Sequence, residues 1–376
     1  MSTVSRYVLR QLAVVTVLIT LTLTTAIWLT QSLRFVELIV NRGLTIGTFL
    51  YLTLLLIPSF LSVMLPIAVF VSVLFTYNRL TGDSELIVMR GAGLGPLQLA
   101  RPALILAVAA TLAAYALSLY FLPNSYRDFK DLDFDVRNDY SALLLREGQF
   151  TNLAPGITVY VRAREPTGDL VGIVVHDNRK PKESVTMIAE RGRLAITEDG
   201  PRVVLVGGNR QQFDSETGKL SLLYFDRYSV DLGQVARKRE DRWREPRERY
   251  LTELFAAPLN DTDREYRARL LAEGHNRVAS PLLPLTLTLI ALASLLSGDL
   301  NRRGQGRRLA SAAVIGIALV GAAVAAHNAT AKWSELAPLL YAVVLVPAVV
   351  ALWWLRRIPG ARRRAPPAAD LAPASG

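Results

Sequence analysis

The sequence predicts a helical membrane protein with six transmembrane helices and one inserted, all-β, jellyroll-like domain outside the membrane. Three observations carry that prediction. Charge-free runs at 11–33, 43–78, 102–126, 278–298, 309–331 and 336–355 hold 23, 36, 25, 21, 23 and 20 residues. A helix needs roughly 20 apolar residues to cross the hydrocarbon, so each run can span. Between the third and fourth runs the composition changes to charged, short, alternating strands. Finally, the basic excess falls on one side of the membrane.

Charge distribution sets the topology. With both termini cytoplasmic, residues 1–10, 79–101, 299–308 and 356–376 hold 14 Lys/Arg and 4 Asp/Glu, whereas residues 126–277 hold 26 of each. Nearly all of the formal charge of +11 therefore lies inside, as positively charged cytoplasmic loops require. A seventh span would put Arg302, Arg303, Arg307 and Arg308 on the wrong side, so the long second run is one span, interrupted by Pro58 and Pro66. The basic balance thus reports topology, and a nucleic-acid role is unsupported. Arg6 and Arg10 precede an apolar run too long for a signal-peptide core, which predicts an uncleaved anchor. The chain has no cysteine, so an exported domain must hold through its own core.

Taken in order, the first span ends at Arg34 and an external turn follows near Arg42. The second span leads to the short polar stretch LTGDSELIVMRGAG at 80–93, too charged to lie in lipid. Asp83 and Ser84 suit a helix N-cap. Glu85 suits the positive end of the helix dipole and Arg90 the negative end, and Gly91 or Gly93 offers the stop. The expectation is a two-turn surface helix with an apolar ridge of Leu86, Ile87 and Met89, the shape of a docking peg. Residues 127–140 read as an amphipathic helical connector with Phe129, Leu132 and Val136 on one face. Strands follow at 157–164, 170–175, 185–189, 193–197, 202–206, 211–213 and 220–232. Turn signals separate them, Gly207-Gly208 among them, which indicates a sandwich, jellyroll or open barrel. Residues 237–249 read as a charged linker, and Asp261 or Asp263 as the cap of a helix leading to the fourth span near Arg277. Trp353-Trp354 form an interfacial pair, and the tail beyond Ile358 is rich in Arg, Pro and Ala, a composition that predicts disorder.

Little supports catalysis. His176, His275 and His327 lack ligand-like spacing, so no metal site is expected, and no G-x-S-x-G elbow occurs. Gly91-Ala92-Gly93-Leu94-Gly95 follows a helix rather than a strand, which makes its glycines helix stops rather than a nucleotide loop. Without a Walker A sequence, energy must come from another chain. Charges within the spans are absent, which argues against an ion pathway. Six spans exceed what anchoring a β domain demands. Arg34 and Arg42 at the external interface are either snorkelling anchors or ligands for phosphates on an amphiphilic substrate.

RLTGDSELIVMRGAGLGPLQLARP at 79–102, LLREGQF at 144–150 and NRVASPL at 276–282, within the three–β–three layout, resemble the LptF/LptG permeases of lipopolysaccharide export. RYVLRQ at 6–11 and SLLYFD at 221–226 are more similar to the LptF branch. The resemblance implies a non-catalytic inner-membrane permease subunit of an ABC transporter, with a second LptG-like permease, an LptB-like cytoplasmic ATPase dimer and a single-span LptC-like partner. It also implies a periplasmic jellyroll that passes lipid to a bridge towards the outer membrane. No cofactor is expected on this chain, with ATP and Mg used by the ATPase. The expected domains are 1–125 with the coupling helix near 81–91, 126–275, 276–358, and a tail at 359–376. Asp83, Ser84, Glu85, Leu86, Met89 and Arg90 would couple to the ATPase, and Arg34 and Arg42 would hold lipid headgroups. The alternative is a membrane-anchored β domain that binds a partner or signals without moving lipid.

Overall fold

The computed structural model describes residues 3–42, 45–137, 147–154, 156–165, 169–179, 183–197, 200–214, 218–231, 242–297 and 302–358. Among them, six helical stretches are long and apolar enough to cross a membrane: Thr3–Leu33, Ile46–Gly82, Pro96–Asp135, Arg267–Leu296, Gln305–Thr330 and Ser334–Arg357. In the second, the two prolines act differently. Helix α2 (Ile46–Leu54) stops before Pro58, which sits in the first turn of α3 (Ile57–Gly82) where its missing N–H costs nothing. Pro66 lies inside α3 without ending it.

Residue contacts divide the chain into two units, one of residues 1–32, 53–127 and 244–376 and the other of 33–52 and 128–243. The helical unit packs around its fourth span. In its most apolar 18-residue stretch 67% of the residues are buried, against 17–28% in the other five, so it is the axis. It ends in α10 (Leu283–Leu296), whose Leu287, Ala291, Leu292 and Leu296 are buried beside Tyr77, Leu80 and Ala103. Helix α1 (Thr3–Arg42) joins this core through Val8 and Leu12, and the Ser72 hydroxyl donates to the Leu12 carbonyl at 3.0 Å. The third span runs from α5 (Pro96–Ala116) through a π-helical turn (Leu117–Phe121) into α6 (Leu122–Arg137). The expected connector is therefore a continuation of the span, with Phe129 buried.

Of the expected charged linker, 237–241 lie outside the described residues, and from 242 onwards the return is held by buried polar contacts. A 3-10 turn (Pro246–Glu248) leads to α7 (Leu251–Phe255), α8 (Asp261–Glu265) and α9 (Arg267–Ala279). Asn260, rather than either aspartate, caps α8, accepting from the Asp263 N–H at 2.7 Å. The Asp263 carboxylate instead pairs with Arg249, both almost wholly buried. The fourth span starts ten residues before Arg277, so the span carries charges that the charge-free reading missed. Arg277 is 2% exposed and Glu273 8% exposed. The Arg277 guanidinium donates to Glu273 at 3.0 Å, to the carbonyls of Pro246 at 3.1 Å and Arg247 at 2.8 Å, and to that of Arg249 at 2.6 Å. One buried cation thus ties the return strap to the fourth span.

The inserted unit is one antiparallel meander in the order β1-β2-β3-β4-β5-β6. Its strands are β1 (Phe150–Ala154), β2 (Ile157–Arg164), β3 (Leu170–Asp177), β4 (Glu183–Thr197), β5 (Gly200–Asp214) and β6 (Leu220–Asp231). The β1 strand had no alternation strong enough to be recognised. Four of the expected short strands fuse into β4 and β5, because the Gly207 turn signal is a bend within a continuous ladder. Pairing keeps one register on either side of it, Ala189 opposite Gly208 and Arg191 opposite Val206. The gap in the pairing crosses the sheet at Arg162, Gly172, Glu190, Gly207 and Asp226. Gly172 and Gly207 there have φ of 65° and 63°, left-handed values that a side chain disfavours. Along β3 the buried residues shift from Leu170 to Ile173 and Val175, changing parity across that line. The crease keeps one face inward while the strands bend. That face buries Val159, Val161, Ile173, Met187 and Leu205.

Candidate functional site

The surface stretch after α3 is built by a sharp corner. The Asp83 N–H closes the last turn of α3 on the Arg79 carbonyl, and the Asp83 carboxylate lies 3.5 Å from Arg79. Ser84 has φ of 63°, alone among the described non-glycine residues, a conformation that costs about 1–2 kcal/mol. Helix α4 (Glu85–Gly91) starts there. Asp83 and Ser84 do not cap it through side chains as expected. The left-handed turn instead aims the Ser84 carbonyl at the N–H groups of Ile87 and Val88, each at 3.1 Å. Of the two candidate stops, Gly93 is the one used, with φ of 90°. Its N–H bonds the Arg90 carbonyl at 2.9 Å and that of Leu94 bonds Met89 at 3.2 Å, the paired bonds of a Schellman motif.

The expected ridge divides. Leu86 is 1% exposed and belongs to the helical core, and Met89 packs against that core. The Arg90 guanidinium donates to the Leu296 carbonyl at the end of α10, where helix carbonyls lack partners and the dipole favours a cation. Glu85 and Ser84 are half-exposed and Asp83 exposed. The outward apolar face is Ile87 and Val88, at 44% and 69% exposure. Helical spacing carried that signal, since 86, 89 and 90 share a face that 87 and 88 do not. Arg90's partner lies 206 residues away, beyond any local pattern. A cavity of about 210 Å³ lies behind α4, lined by Val4, Val8, Tyr77, Leu86, Met89 and Arg101. Arg34 and Arg42 fall on α1, and their side chains lie outside the described residues.

Spanning helices around a buried axis, an inserted antiparallel sheet, and a surface helix bolted to the axis define a multi-pass membrane protein with an inserted β domain. The chain matches the family model of the lipopolysaccharide export system permease LptF/LptG over residues 6–357 and belongs to that family. It is 30% identical over 292 residues to an uncharacterized protein of Rickettsia prowazekii (strain Madrid E), covering 77% of this chain and 80% of that protein. It is 25% identical over 184 residues to the lipopolysaccharide export system permease protein LptF of Escherichia coli (strain K12). That match spans 48% of this chain and half the length of LptF. The LptF of Shigella flexneri matches to the same extent.

Proposed function

We infer that this chain is a non-catalytic, LptF-like permease subunit that extracts lipopolysaccharide from the outer leaflet of the bacterial inner membrane. It passes the lipid through its periplasmic β domain to a bridge towards the outer membrane. The observation that carries this reading is the family match, which takes in all six spans and the sheet. A second permease, an LptB-like ATPase dimer using ATP and Mg, and an LptC-like single-span protein complete the machine. Helix α4 seats in the ATPase through Ile87, Val88 and Glu85. Motion applied there reaches α3 through the Ser84 corner, and the fourth span through Leu86 and Arg90. Arg34 and Arg42 meet the phosphates of the headgroup.

The competing reading, a β domain that only binds a partner, predicts a filled core. The core runs from β2 to Val230 on β6, but Leu223 lies opposite Arg210, itself opposite Met187, so it shares the inner face. It is 52% exposed. An inner face left uncovered at the Leu223 end of β6 supports lipid passage. Photocrosslinkers at Phe35 and Val36 should capture lipopolysaccharide in cells. Arg34→Gln with Arg42→Gln should lower lipid-stimulated ATP turnover while basal turnover stays. No capture, with normal export by the double variant, would overturn the reading. Reporter fusions at Asp177 should read periplasmic and those at Gly304 cytoplasmic.

A further inference from the structure

A second cavity, of about 360 Å³, lies within the helical unit, walled by α3, the π-helical turn, α9, α11 (Arg302–Thr330) and α12 (Ala337–Arg357). Its volume falls in the range of small-molecule sites, which are apolar with a few polar groups at fixed points. The deep wall is hydrocarbon, with Val63, Ile67, Val320, Ala323 and Val344. The opposite end is polar and carries Arg247, Ser59 and His327. Two of these polar groups are unsatisfied. The Ser59 hydroxyl and His327 Nδ1 are buried atoms without a hydrogen-bond partner among the described residues, and buried polar atoms are seldom left so.

The charge at this end is also unbalanced. Arg277 is consumed by Glu273 and three backbone carbonyls. Those carbonyls include that of Arg247, so the strap is pinned with Arg247 at the cavity's polar end. Arg247 is exposed, and no hydrogen bond or ion pair engages its side chain among the described residues. An exposed cation, two unsatisfied hydrogen-bonding atoms and an apolar shaft, in that order, match the parts of a diacyl phospholipid: phosphate, ester carbonyl and acyl chain. A guanidinium suits a phosphate by charge and by its forked donors. The shaft sits among membrane-spanning helices, where lipid is the solvent available to fill it.

We propose that this cavity is a resident site for an anionic phospholipid, one acyl chain in the shaft and the phosphate on Arg247. The site stands apart from the transport reading, because the lipid is a fixed component rather than cargo. Its π-helical wall supplies Ser118, and π turns recur at ligand sites.

The test uses the full chain in phosphatidylcholine nanodiscs doped with phosphatidylglycerol that carries a diazirine on its acyl chain. Matched samples carry diazirine phosphatidylcholine or diazirine rough lipopolysaccharide. Phosphatidylglycerol should label the α11 wall around Ala323, and phosphatidylcholine should label it far less. Arg247→Gln should lower that labelling about ten-fold, the loss of one charge-assisted hydrogen bond. Ala323→Phe, which fills the shaft, should lower it too. Labelling at the outward Ile317, 72% exposed, should not change in either variant and reports intact folding. If Ala323→Phe disturbs the fold, the surface substitution at Arg247 decides alone. Equal labelling by the two phospholipids, wall labelling indifferent to Arg247→Gln, or capture of lipopolysaccharide in place of phosphatidylglycerol would each overturn the proposal.

Discussion

Replacing Arg277 by Met tests whether one buried cation holds the return strap to the fourth span. The substitution keeps most of the side-chain volume but leaves Glu273, 8% exposed, without its partner. It also strips donors from the carbonyls of Pro246, Arg247 and Arg249. Breaking a buried pair from one side costs about 3–5 kcal/mol. If that cost falls on the strap, its open population should rise more than about 100-fold, at about 1.4 kcal/mol per ten-fold. The chain offers a clean reporter, because it has no cysteine and Leu254 in α7 is 0% exposed. A Leu254→Cys protein should react with a maleimide only through local opening, at a rate set by the open fraction when closing is fast. Adding Arg277→Met should accelerate that reaction by about two orders of magnitude. Adding Glu273→Gln to the pair should slow it again, since the uncompensated carboxylate is removed. An unchanged rate in the Arg277→Met background would refute the hub. A triple variant as reactive as the double would show that the carbonyls, rather than the ion pair, set the cost.

Three further outcomes follow from the geometry. Gly207→Ala should destabilise the sheet by about 1–2 kcal/mol through left-handed strain alone, because the nearest atom to an added Cβ is an ordinary contact at 3.6 Å; chemical denaturation that matches wild type would remove the crease argument. In α4, Leu86→Ala should cost about 2–5 kcal/mol of stability, whereas Val88→Asp should leave the melting temperature near wild type and abolish co-purification of the ATPase; the reverse pattern would invert the assigned faces. The Asp177 carboxyl sits below its ordinary range, chiefly because Arg179 hydrogen-bonds it, with desolvation opposing. Its folded value is the lower one, so its contribution is full at neutral pH and is lost as pH falls through the ordinary carboxylate range and below. Asp177→Asn should flatten that acid limb in melting curves, and an identical pH slope would contradict the pairing.

The composition and charge pattern were enough for the membrane class, the six spans and the inserted β unit. Span length and the sign of flanking charges are one-dimensional quantities, because the bilayer is a uniform solvent that each segment meets alone. The surface helix at 85–91 was legible for the same kind of reason, since dipole-matched charges and terminal glycine are local. Its capping was not. Side-chain capping by Asp83 or Ser84 competes with the backbone corner that packing imposes, and the corner prevailed. The strands were visible as alternation, but Gly207 reads in sequence as a turn whether the chain reverses or only bends. Ladder partners on both sides decide which.

What only the tertiary structure decided are the pairings across long separations. Nothing near Arg90 announces the Leu296 carbonyl, and nothing near Arg277 announces that residues 246–249 wrap it. Arg277 read as the polar border of a span, the usual place for a cation beside lipid. Its burial becomes tolerable only once a carboxylate one helical turn away and three carbonyls from a distant strap converge on it. Periodicity and charge sums describe what each segment wants from its solvent. Which segments satisfy one another depends on the packing of the whole chain, and that is information carried by contacts rather than by order.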